Sequence, residues 1–146
     1  MERLKRPWLI AVTVVMSVMF AVFSWFQIND LDPTIYHKPS AWDAWSWVVF
    51  YGLLAVLCLV SVFRSVPRAI LILAAVFCAF EMARTAPGVF ENLFQSEKFT
   101  MTGASMAPER SEVELSREFF GALIGLVSVA FLWWQSLMAK RLSNDS

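Results

Sequence analysis

Three short runs in this chain of 146 residues hold the side chains that could do chemistry. The first is Asn29-Asp30-Leu31-Asp32, an amide and two carboxylates within four positions. The second is Glu81 and Arg84, three apart and so on one face if helical. The third is Glu114-Leu115-Ser116-Arg117-Glu118. Oxygen donors of this kind suit a hard cation, Ca²⁺ or Mg²⁺, or an acid and base formed by carboxylates with raised pKa. No nucleophile stands beside a base, and there is no glycine-rich phosphate loop, so an enzyme is the weaker expectation. His37 is the single histidine and cannot build the usual zinc site. Cys58 and Cys78 sit in apolar stretches without ligand spacing and read as small buried hydrophobes.

The elements that must position these groups are long and apolar. Hydrophobic residues make up 58% of the chain and mean hydropathy is +0.59. Such values indicate a membrane protein embedded in a lipid bilayer. Twelve basic and twelve acidic residues cancel, which gives no global charge for nucleic acid. The uncharged run 7–29 exceeds a signal-peptide core, and Phe23-Ser24-Trp25-Phe26 offers no small-x-small cleavage site. It is predicted to be retained as a first span, 8–28, with Trp8 and Trp25 near its ends.

Further spans are predicted at 44–63, 69–86 and 115–138. The second is entered through Trp42, Trp45 and Trp47, and the third is expected to end at Pro87-Gly88. After it, Val89, Phe90, Leu93 and Phe94 alternate with Glu91, Asn92, Gln95 and Ser96. That spacing fits a short amphipathic interfacial helix between helices 3 and 4, or an ordered loop. Ser111 and Glu114 form a capping box opening the last helix. On that helix Gly121 and Gly125 make a GxxxG spacing for packing within the bundle or against a second copy. The fold class is therefore all-α, a four-transmembrane-helix bundle in one integral membrane domain, 1–146.

Arg3, Lys5, Arg6, Arg64, Arg68, Lys140 and Arg141 fall on one side of such a bundle. Only Lys38, Lys98 and Arg110, with Arg84 and Arg117 at helix ends, fall on the other. The positive-inside rule then predicts that both termini are cytoplasmic. Asn29, Asp30, Asp32, Glu81, Arg84, Glu114, Arg117 and Glu118 gather at the outward helix ends. Their five carboxylates and two guanidinium groups leave three negative charges. Salt bridges to Arg84 and Arg117, protonation of an acid, or a bound divalent cation would each relieve that excess. Each residue also has a structural role open to it. Asn29 and Asp30 suit a turn, Glu114 a cap, Glu81 and Arg84 a local pair, and Tyr51 core packing.

The Asn29-Asp30-x-Asp32 box, Tyr51-Gly52, and Glu114-x-x-Arg117-Glu118-x-x-Gly121 together resemble the transmembrane protein 220 family. In that family the box commonly reads Asn-Asp-Pro-Asp; here Leu31 replaces the proline and Pro33 follows two places later. The resemblance implies a small multi-pass helical membrane protein and no particular reaction. Two functions remain open from the sequence. One is a membrane protein binding a cation or small ligand at the outward cluster. The other is an accessory or assembly subunit, packing through Gly121 and Gly125 against a homo-oligomer copy or a membrane-complex partner.

Overall fold

The computed structural model describes residues 7–28, 41–94, 101 and 111–144, and among them every regular element is helical. The helices are α1 (Pro7–Gln27), α2 (Ala41–Phe63), α3 (Arg68–Phe94) and α4 (Ser111–Asn144). All four are long and apolar enough to cross a membrane. At about 1.5 Å per residue, even α1 covers ~30 Å, the thickness of a bilayer's hydrocarbon core.

The bundle has an apolar core, and its surface is apolar as well. Val15, Leu73, Phe80 and Val127 are largely exposed, whereas Thr13, Glu81, Thr85, Asn92, Ser116, Ser128 and Gln135 are buried. Apolar side chains outside and polar ones turned inward are what a lipid solvent selects. The interior polar groups are largely paired: Asn92 Nδ2 donates to Ser116 Oγ at 3.0 Å, and Gln135 Nε2 donates to Thr13 Oγ1 at 2.9 Å.

Two antiparallel hairpins build the bundle. In the α1–α2 pair, Ser17 Oγ donates to the Ala55 carbonyl and Ser24 Oγ to the Val48 carbonyl, each at 2.8 Å. The donors are seven residues apart, and so are the acceptors, so one seam repeats every two turns. In the α3–α4 pair, Gly88 leaves the room that the Leu115 side chain fills. Aromatic side chains of α2 join the hairpins, with Phe50 and Trp47 against Phe77 of α3 at ring separations of 4.5 and 6.1 Å.

The third helix does not stop at Pro87. It continues to Phe94 with Pro87 inside it, and residues 89–94 are its last turns instead of a separate amphipathic helix. Proline in a helix interior removes one hydrogen bond at a cost of about 3 kcal/mol. Gly88 against Leu115 and the buried Asn92–Ser116 bond hold the chain helical beyond it. The exposed apolar side chains expected there, Phe90, Leu93 and Phe94, are present on this extension.

Candidate functional site

One end of the bundle collects carboxylates because three helices deliver them there: α2 and α4 begin at that end, and α3 ends there. Asp43 lies in the first turn of α2, where an acid gains from the helix dipole. Glu118 lies about two turns into α4, which carries Glu112 and Glu114 in its first turn. Glu81 and Arg84 lie on one face of α3, before Pro87.

Arg84 is the hub. Its Nε donates to Glu81 Oε2 at 2.7 Å. Its Nη2 donates to Glu118 Oε2 at 2.9 Å and, at 3.4 Å, to Asp43 Oδ1. One guanidinium thus ties α2, α3 and α4 together, using the fork of donors that lysine lacks. The Glu81 and Glu118 side chains are 8% and 10% exposed, while that of Arg84 is 36% exposed. The carboxylates are turned inward and the guanidinium is reached from outside. Arg117 Nε donates to the Met101 carbonyl at 2.9 Å. Glu114 stands on the same stretch of α4, half-buried. Asn29, Asp30 and Asp32 lie outside the described residues.

Asp43 is the member that sequence reasoning missed. The signal was an acid beside Trp42 in the first turn of a helix, at the same end as the other acids. Among the described residues no three acids, histidines or cysteines are grouped as a metal site. The acids brought together converge on Arg84, so within this group the resident cation is a side chain.

An aromatic layer lies directly below. Trp47 follows Asp43 by one turn, and stacks on Tyr51 at 5.4 Å. Tyr51 also meets Phe20 and Phe23 of α1 and places its hydroxyl against Gly121, three residues beyond Glu118. The Trp47 indole N–H is buried and finds no acceptor among the described residues. Such an unpaired donor carries a penalty of about 1–3 kcal/mol.

Gly121 and Gly125 both face inward. Tyr51 occupies the space beside Gly121, and Cys78, Leu54 and Phe50 surround Gly125 at 3.2–3.3 Å from where a Cβ would stand. The GxxxG spacing serves packing inside the chain, one of the two roles open to it.

Four apolar helices with polar groups turned inward, and a charged end closed by Arg84, define a multi-pass helical membrane protein. The family model described as Transmembrane family 220, helix, matches residues 19–134, and the chain belongs to that family. No curated protein and no solved structure matches the chain.

Proposed function

We propose that this protein is a membrane-embedded binding protein whose acidic end, facing outward, receives a cation or a small cationic ligand. The carrying observation is the Arg84 clamp. Three helix ends are held by one guanidinium against two nearly buried carboxylates and a third half-exposed one. By sequence, Glu112 and Glu114 on α4 and the Asn29-Asp30-x-Asp32 box that follows α1 add acid in excess of the two arginines. A preorganised acidic mouth of this kind draws positive charge, and low dielectric beneath it strengthens the attraction. In this reading Arg84 keeps the mouth in shape, and Asp30 and Glu114 contribute to holding the ligand. The basic turn at Arg64 and Arg68 and both termini lie on the cytoplasmic side.

The test is a thermal-shift series on the full chain in detergent with CaCl₂, MgCl₂ and a protonated polyamine. A stabilising shift with at least one of these, reduced in Asp30→Asn and Glu114→Gln, supports the reading. Identical melting with every cation and in both variants overturns it.

A further inference from the structure

A groove runs along the outer surface between α2 and α3, separate from the Arg84 cluster. Its volume is about 590 Å³. Trp42, Val49, Leu53 and Leu57 of α2 and Leu73 and Ala74 of α3 line it, over a floor that includes Phe50 and Phe77. The floor explains the gap, because the Phe50 and Phe77 rings pack on each other, tilted by 35° with centroids 4.5 Å apart, between the two helices. Leu53 and Leu73 are 57% and 68% exposed, so the groove opens sideways to the surface that the bilayer surrounds.

We propose that this groove holds one long acyl chain of an anionic phospholipid, with the headgroup phosphate at Arg64. The lining selects the occupant. Close helix packing calls for a stripe of small residues, whereas this lining is mostly Trp, Leu, Val and Phe. A flexible hydrocarbon chain fits itself between such side chains. From Trp42 to Leu57 the helix rises ~22 Å. The length exceeds one leaflet, roughly half of a ~30 Å core, so long chains fill the groove and short ones do not.

Charge selects the headgroup end. Arg64 follows Leu57 by seven residues, two turns on the same face of α2, and its backbone N–H still bonds the Val60 carbonyl at 2.9 Å. It is exposed and lies beyond the Leu57 end of the groove. Arg68 lies at the same end, its guanidinium 5.7 Å from the Trp133 ring centroid, and adds to the local positive potential. The opposite mouth, beside Asp43, repels a phosphate.

The test uses the delipidated full chain in mild detergent, offered equal amounts of long-chain phosphatidylglycerol and phosphatidylcholine and read by native mass spectrometry. The expected wild-type result is one phosphatidylglycerol per chain, with short-chain phosphatidylglycerol competing poorly. Leu73→Trp plugs the groove from an exposed position and abolishes binding without lowering the melting temperature. Arg64→Gln lowers the preference for phosphatidylglycerol over phosphatidylcholine by about fivefold. A folded Leu73→Trp variant that binds as the wild type does overturns the groove assignment. So does efficient disulfide formation between two copies of Leu73→Cys, which would make the occupant a second chain. An unchanged lipid preference in Arg64→Gln overturns the headgroup placement.

Discussion

The Tyr51 hydroxyl and Gly121 are fitted to each other across α2 and α4: a Cβ at position 121 would collide with that oxygen. With the hydroxyl removed, the next Tyr51 atom is Cζ at 3.4 Å, an ordinary contact. Tyr51 cannot swing aside, being packed among Phe20, Phe23, Trp47 and Phe50. Gly121→Ala is expected to destabilise the bundle by about 1–3 kcal/mol through overpacking. Tyr51→Phe in the same chain is expected to recover most of that loss, since alanine also favours helix over glycine by about 1 kcal/mol. A double-mutant cycle on unfolding in detergent measures the coupling. Additive effects would place the glycine's role elsewhere.

Removing the hub leaves two nearly buried acids facing each other. Breaking a buried ion pair costs about 3–5 kcal/mol, and the partial exposure of Arg84 puts Arg84→Gln near the lower figure. Adding Glu81→Gln to that variant is expected to restore stability, because it removes one of the stranded charges. Arg84→Lys is expected to rescue only part, since one ammonium cannot reproduce the geometry to Glu81, Glu118 and Asp43. Unfolding midpoints of the three variants decide this; a fully stable Arg84→Gln would remove the clamp from the account.

The serine seam makes a smaller contribution. Ser17→Ala and Ser24→Ala each delete one hydrogen bond to an α2 carbonyl that remains in its own helix ladder. Interhelical bonds of this type in membranes average about 0.6 kcal/mol, so the pair of changes should lower stability by ~1 kcal/mol. Unfolding of the double variant provides the measurement, and a loss as large as that of Gly121→Ala would be unexpected.

Orientation is open to direct labelling. Cys58 and Cys78 are fully buried and stay unreactive toward a membrane-impermeant maleimide. Ser65→Cys, in the exposed basic turn, should label only after permeabilisation, and Glu91→Cys, exposed near the end of α3, should label on intact cells. The opposite pattern would invert the protein in the membrane.

The spans were legible because uncharged runs of about twenty residues have few other fates. The start of α4 was legible from its capping box, and the gathering of acids followed once the helices alternated in direction. What escaped depended on contacts between distant residues. Pro87 reads locally as a stop, yet Leu115 and Ser116, far along the chain, hold α3 helical past it. Asp43 reads as part of a connection until α2 is seen to start at Ala41. Gly121 and Gly125 carry a spacing that serves an internal or an external partner equally, and only the positions of Tyr51 and Cys78 choose between them.

The central claim is that the acidic end takes up positive charge, and isothermal titration of the full chain in detergent tests it most directly. Ca²⁺, Mg²⁺ and a protonated polyamine are titrated separately into wild type and into Asp30→Asn/Glu114→Gln. The expected result is saturable binding of at least one cation to the wild type, weakened by salt and lost in the double variant. Absence of binding by every cation, or equal binding to both proteins, would contradict it.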